Sequence, residues 1–463
     1  MCGIAAVSGV PDAARLVFLS LYSLQHRGQE AAGIVSIDAA EPEGGKIRKG
    51  TGLVSDADTE ADVAALTGPV AVGHIRYSTA GGAGLHNAQP LLVRYSEGDL
   101  ALAHNGNLTN AQELRGRLVR EGALFQTSID SEVIVHLVAR SRREGVDAQI
   151  DDALSQLEGA FSVLITVGDT LYAARDRHGF RPLVLGYKDG GYVLASETCA
   201  LDIVGARYVR DVEPGEVLKI RDGELTRLRP LGSYTPQAAC IFELVYFARP
   251  DSRLWGKSVD RARRAFGRQL ALEQPAEADC VISVPDSANS AALGFAETSG
   301  VPFELGLIRN HYVGRTFIEP SQAGRNFKVR LKYSPVREVL EGKRVVVVDD
   351  SLVRGTTSQG LVALLREAGA TEVHFLLASP PVRHPCFYGI DMPTKEELIA
   401  SRMDPDEIRD HLGVDSLGYL SLEGMVNAVS GEGLTFCSAC FSGDYPAPLV
   451  DVERGYAVAA GCD

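Results

Sequence analysis

Residues 345–360 read VVVVDDSLVRGTTSQG. Four consecutive valines suit a strand buried on both faces of a parallel sheet. The run ends in Asp349 and Asp350, at the carboxyl edge where open α/β sheets bind their ligands. Ser351, Arg354, Gly355, Thr356 and Thr357 follow and lead into a helix N-terminus, so backbone N–H groups and a positive helix end would cradle an anion. The stretch lacks the lysine of a GxxxxGK[ST] loop, which disfavours nucleoside triphosphate hydrolysis.

Working outward, ADCVISVPDS (278–287) and TEVHFLLASPP (371–381) are further near-continuous apolar runs. TTSQGLVALLREAGA (356–370) reads as the crossover helix, with Gly369 as its stop signal. The second half is therefore expected to be doubly wound α/β. Before residue 230 the pattern changes to short apolar strands, among them GPVAVGHIRYST (68–79), LALAHNGNL (100–108) and AFSVLITVGDTLYAARD (160–176). Helical spacing in 110–122 and 131–142 predicts helices layered on an antiparallel sheet. RPLGSYTPQAAC (229–240) breaks the periodicity and reads as a linker, dividing the chain into units 2–235 and 236–463.

The 463 residues allow about three domains of ~150 residues, and two large ones fit equally well. With 46 basic against 60 acidic residues the chain carries −14 and has no basic tract, which excludes non-specific nucleic-acid and anionic-membrane binding. The start shows no charged n-region or cleavage site, and no apolar run is long enough to span a bilayer, so the cytoplasm is expected. Eight cysteines are too sparse for a disulfide scaffold and point to packing, catalysis or metal.

Cys2 follows the initiator methionine in MCGIAAVSG (1–9). Were Met1 removed, the α-amine of Cys2 could serve as base to its own thiol. CGIAAV (2–7), LQHRGQEAAG (24–33), GHIRYSTAG (73–81), HNGNLTN (104–110) and TSIDSE (127–132) occur in this order. Together they resemble the class II glutamine amidotransferases, a branch of the N-terminal-nucleophile hydrolases. The resemblance implies Cys2 as nucleophile and the Asn105 side chain with the Gly106 N–H as oxyanion donors. It implies that Arg76 forks onto the glutamine α-carboxylate, that Asp130 takes the α-ammonium and that Thr79 lies in the same pocket. With Met1 alone before Cys2, autocatalytic propeptide cleavage is not expected.

The 345–360 stretch resembles the phosphoribosylpyrophosphate (PRPP) signature of type I phosphoribosyltransferases, whose acidic pair holds ribose hydroxyls and whose loop holds the 5′-phosphate. VPDS, ending at Ser287, resembles that family's pyrophosphate loop. PRPP would arrive with Mg²⁺, beside Ser287, Asp349 and Asp350. The glycine-punctuated segment 309–335 is rich in cations within an acidic chain. It reads as a lid, with Lys328, Arg330 and Lys332 as candidates.

CSAC (437–440) is by itself redox-active, zinc-binding or cluster-binding, and Cys240 and Cys386 add two thiols in CIFELVYFARPDS and HPCFYGIDMP. Spacing does not choose among these. The four contexts resemble the iron–sulfur glutamine PRPP amidotransferases, which implies one structural [4Fe–4S] cluster on Cys240, Cys386, Cys437 and Cys440. Cys199 and Cys280 read as packing residues, and Cys462 matches no ligand motif. Arg177 and Phe180 depart from that family's usual residues in ARDRHGFRPL (174–183) and bear on local loop packing.

The resemblance implies an αββα N-terminal-nucleophile hydrolase domain followed by a doubly wound phosphoribosyltransferase domain. The implied reaction takes PRPP, glutamine and water to 5-phosphoribosylamine, pyrophosphate and glutamate, with ammonia passing internally between the sites. Homotetramers and inhibition by AMP, GMP or ADP are the implied assembly and regulation. An asparagine synthetase or hexosamine-forming synthase would share only the first half, and VVVVDDSLVRGTT fits neither. A PRPP-sensing regulator would need neither Cys2 nor its pocket.

Overall fold

The computed structural model describes residues 1–40, 44–57, 60–77, 82, 84–232, 235–311, 329–392, 394–431 and 434–455. Its first unit contains thirteen strands: β1 (Gly3–Ser8), β2 (Ala31–Ile37), β3 (Lys46–Thr51), β4 (Val70–Arg76), β5 (Leu91–Tyr95), β6 (Gly98–Leu108), β7 (Gly159–Val167), β8 (Thr170–Arg175), β9 (Val184–Lys188), β10 (Gly191–Ala195), β11 (Arg207–Asp211), β12 (Val217–Arg221) and β13 (Glu224–Arg227). One sheet has the order β11-β9-β10-β1-β4-β2-β3 and the other β13-β12-β8-β7-β6-β5. Every described pairing within them is antiparallel.

Strand alternation builds the layers. Ile4 and Ala6 of β1 face Ala103, Leu164 and Ala173 of the second sheet, forming the core between sheets. Ala5 and Val7, on the opposite face of β1, pack on Val17 and Leu21 of helix Ala13–Ser23. The second sheet's outer face is covered by helices Ala111–Arg120, Glu132–Arg140 and Val146–Ser155. The result is the αββα sandwich, with Cys2 entering at the head of a central strand.

In the second unit, strands Cys280–Ser283, Arg344–Asp349, Glu372–Leu377 and Ser416–Tyr419 pair in parallel in that order. Val346 and Val348 face one core with helix Val259–Glu273, while Val345 and Val347 face another with helix Thr356–Glu367. The valine run is thus buried on both sides, as a doubly wound sheet requires.

The expected linker is tied down more tightly than its composition suggests. Ala238 N–H donates to His178 O, and Ala239–Cys240 forms a short parallel ladder with Phe436–Cys437. Near the carboxyl end, Asp451 accepts the N–H groups of Gln112 and Glu113 and caps a first-unit helix. Among the described residues no helix is long and apolar enough to cross a membrane.

Candidate active site

Cys2 lies in a small pocket with Arg76, Tyr77, Gln89, His104, Gly106, Ile129, Asp130 and Ser131. Four of the expected residues therefore converge. Pairing of β1 with β4 brings Cys2 to the end of the strand carrying Arg76, and β6 delivers Asn105 and Gly106. Cys2 N–H donates to Asn105 Oδ1 at 3.3 Å. Among the described residues the buried Asn105 Nδ2 has no hydrogen-bond partner, a costly state unless something arrives to use it. Because Oδ1 is committed to an N–H donor, turning the amide over would leave two donors facing each other.

Gly106 has φ 152, and a Cβ there would run into the Ala160 carbonyl of β7. Only glycine can hold this φ while the strand stays in register with β7. Asp130 accepts Leu108 N–H at 2.9 Å and Ser131 Oγ–H at 3.2 Å, which fixes the carboxylate at the pocket wall. Arg76 donates to the carbonyls of Asn87 and Gly82 at 2.5 and 3.2 Å. Thr79 lies outside the described residues.

Beneath the pocket is a buried charge cluster. Arg27 Nε donates to Cys2 O at 3.0 Å, and its terminal nitrogens reach Glu197 at 2.5 Å and Glu243 at 2.8 Å. Arg181 pairs with the same Glu243 at 3.3 Å. All four side chains are shielded from solvent. Met1 fills the adjoining space against Arg27 and Arg181, and burial pushes its α-amine down to about 5. Arg27, in the QHRGQ stretch, and Glu243, in CIFELVYF, carried a signal in the quoted motifs but no assigned role. The same is true of His104.

The second site forms as the strand–loop–helix pattern predicts. Ser287 Oγ–H donates to Asp350 at 2.5 Å and Ser351 Oγ–H donates to it at 2.6 Å, joining the VPDS loop to the acidic pair. Burial, and then the neighbouring charge of Asp350, pushes the Asp349 carboxyl well up; burial also raises Asp350. The pair is short of positive charge. Gly355 has φ 80, and a Cβ there would meet Ile399 at 2.8 Å, so glycine is needed to turn the loop into helix Thr356–Glu367. No side chain caps that helix among the described residues, and Thr356 and Thr357 are exposed beside its first turn. Arg354 pairs with Glu397. Of the lid candidates, Arg330 pairs with Glu367 at 2.7 Å and Lys332 exerts a field on Asp349, while Lys328 lies outside the described residues.

Cys240 and Cys437 are partners in the short parallel ladder, and Cys386 and Cys440 lie in the same apolar surroundings. Burial raises Cys440 well above a normal thiol, with Cys240, Cys386 and Cys437 each adding to the rise. Cys240 is pushed up to about 11 by burial. The four thiols thus share one apolar neighbourhood, although among the described residues no set of three or more His, Cys, Asp or Glu is placed to hold a metal ion. Cys199 and Cys280 are buried elsewhere, in agreement with packing roles, and Cys462 lies outside the described residues.

Comparison with known proteins bears on both sites. A glutamine amidotransferase domain family matches residues 74–202. Amidophosphoribosyltransferase 2 of Arabidopsis thaliana chloroplasts is 51% identical over 457 residues, covering 98% of this chain and 81% of the relative. Amidophosphoribosyltransferase of Bacillus subtilis is 49% identical, covering 97% and 94%. The solved glutamine PRPP amidotransferase of B. subtilis, complexed with ADP and GMP, superposes with a TM-score of 0.92 at 47% identity, covering 99% of this chain and all of that one.

Proposed function

This chain belongs to the amidophosphoribosyltransferase family, and from that premise we propose how its own residues divide the reaction. The family makes 5-phosphoribosylamine, pyrophosphate and glutamate from PRPP, glutamine and water, the first step of de novo purine synthesis. In our reading Cys2, once it stands at the amino terminus, attacks the glutamine carboxamide with its own α-amine taking the thiol proton. Asn105 Nδ2 and Gly106 N–H receive the oxyanion, ammonia leaves, and water releases glutamate from the thioester. Arg76 and Asp130 hold the two charges of the amino acid, which selects glutamine over uncharged amides. The unpartnered, buried Asn105 Nδ2 beside Cys2 is the observation that carries this assignment.

At the second site, Asp349 and Asp350 take the ribose hydroxyls and the Gly355–Thr357 turn takes the 5′-phosphate. Ser287 and the acidic pair are hard oxygen donors short of positive charge, which fits Mg²⁺ held by few protein oxygens plus substrate. Held by Ser287, Asp349 and Asp350, Mg²⁺ would supply charge neutralisation for the departing pyrophosphate. Lys332, Arg330 and Lys328 close over it as a lid. The apolar core that contains Met1 also contains Val348, the residue before Asp349, which supports a dry path for ammonia between the two sites once the lid closes.

Four soft sulfurs gathered from three segments fit a [4Fe–4S] cluster, which Cys240, Cys386, Cys437 and Cys440 would hold as thiolates. The cluster supplies cross-linking rather than chemistry. We further propose purine nucleotides (AMP, GMP, ADP) as inhibitors, by analogy with the ADP- and GMP-bound B. subtilis enzyme, together with a homotetrameric assembly and a cytoplasmic location.

The test is stoichiometry. With glutamine, PRPP and Mg²⁺, glutamate and pyrophosphate should appear one to one, and omitting PRPP should suppress glutamate release. Pyrophosphate release with no matching glutamate would refute the coupled reading.

A further inference from the structure

The loop Cys386–Gly389 of the second unit lies directly on the oxyanion strand of the first. Gly389 has φ 96, and a Cβ on it would lie 2.8 Å from the carbonyl carbon of Gly106 and 2.9 Å from its Cα. Two backbones from opposite halves of the chain therefore meet at the Cα and carbonyl of the residue whose N–H is an expected oxyanion donor. The approach is fixed from several sides. Asn107 Nδ2 donates to Phe387 O at 2.9 Å, and Arg181 Nε donates to Tyr388 O at 2.8 Å. Tyr388 stacks on Phe180 with ring centroids 4.3 Å apart, and its hydroxyl donates to Ala447 O at 2.6 Å. Tyr388 N–H in turn points at Cys386 Sγ, 3.4 Å away.

We propose that Gly389 is a positioning residue for glutamine cleavage: by seating the Cys386–Gly389 loop flat against Gly106, the second unit sets the aim of the Gly106 N–H. Gly106 needs such support, because its positive φ departs from regular strand geometry within an otherwise continuous ladder. β7 packs against it at the Ala160 carbonyl, and Gly389 packs against its Cα and carbonyl. No side chain larger than hydrogen fits at residue 389, and its φ disfavours any L side chain. The proposal rests on the reading of Asn105 and Gly106 as oxyanion donors. It adds that the second unit completes this site, so that a chain folded in its first half alone would bind glutamine and cleave it slowly.

The test uses full-length enzyme and three variants. Gly389→Ala displaces the loop, and Asn107→Ala releases it without adding bulk. Asn105→Ala removes the other proposed donor. An oxyanion exists only during turnover, so its loss lowers kcat and leaves the glutamine KM alone. Deleting one such donor outright lowers kcat about 10²–10³-fold. Misaiming it through Gly389→Ala should lower glutamine-dependent kcat at least tenfold, with KM and ammonia-dependent synthesis each within twofold. Alkylation of Cys2 by iodoacetamide, which develops no oxyanion, should keep its normal rate. Asn107→Ala should change the same quantities in the same direction by a smaller factor, and it decides the matter should Gly389→Ala lose ammonia-dependent activity through misfolding. Wild-type kcat in Asn107→Ala together with a folded, fully active Gly389→Ala, or a raised KM at unchanged kcat, would overturn the proposal. Normal kcat in Asn105→Ala would instead overturn the oxyanion reading beneath it.

Discussion

Arg27 and Glu243 form a 2.8 Å ion pair across the junction of the two units, with both side chains closed off from solvent. Arg27 also donates to the Cys2 carbonyl, and Glu243 lies three residues after Cys240. The expected nucleophile and the cysteine group are therefore linked through two buried charges. Neutralising Glu243 leaves Arg27 to Glu197 alone and takes from Arg181 the carboxylate it pairs with, an excess of buried positive charge that costs about 3–5 kcal/mol. Glu243→Gln should lower stability by that order in anaerobic denaturant unfolding. A shift below ~1 kcal/mol would mean that the pair is spectator chemistry.

Glu197 makes acid stability a readout of the same cluster. Burial opposes its ionisation, yet His26 and Arg27 outweigh burial and hold the carboxyl well below the ordinary range. A carboxyl with a depressed folded pKa adds stability above its unfolded value, near 4.3, and that stability is lost as pH falls below it. Wild type should lose stability more steeply below about pH 4 than Glu197→Gln, which should be weaker at neutral pH and flatter in acid. Parallel pH profiles would contradict the assignment.

At the phosphate loop, Asp349→Asn and Asp350→Asn should each impair PRPP use whether glutamine or ammonia supplies nitrogen. Either change removes charge needed beside Mg²⁺ and ribose. Steady-state KM and kcat for PRPP in both assays provide the check. Normal ammonia-dependent kinetics in both variants would move the sugar-phosphate site elsewhere.

Protein purified without oxygen should be brown and carry about four irons per chain. Serine at Cys240, Cys386, Cys437 or Cys440 should abolish iron and stable folding together, because three separated segments lose their tie. Serine at Cys280, packed against the parallel sheet, should retain iron and activity. Iron analysis alongside ammonia-dependent activity separates these outcomes; a colourless, fully active protein with stoichiometric zinc would replace the cluster.

Much of this architecture is legible in the sequence, and the reasons are local. Val345–Val348 announces a doubly buried strand because period and composition agree, and the strand, turn and helix follow within a few residues. Cys2, Arg76, Gly106 and Asp130 are assigned by motif resemblance, and they line one pocket, with Asn105 hydrogen-bonded to Cys2 beside it. The junction was not legible. The contact of Gly106 with Gly389, the Arg27–Glu243 pair and the Asp451 helix cap join positions hundreds of residues apart, through single residues with no periodicity to betray them. The segment 229–240 looked like a free linker because its prolines and glycine hide the two-residue ladder that ends it. Phe180, noted as a departure, is the stacking partner of Tyr388.

The most direct measurement compares the two nitrogen sources in Cys2→Ala. The nucleophile belongs to the first unit and the sugar-phosphate loop to the second, so the variant should lose glutamine-dependent synthesis by several orders of magnitude. Its ammonia-dependent rate should stay within about twofold of wild type, since no step there needs the thiol. Equal loss of both activities, or a variant still cleaving glutamine at the normal rate, would contradict the division of labour on which the account stands.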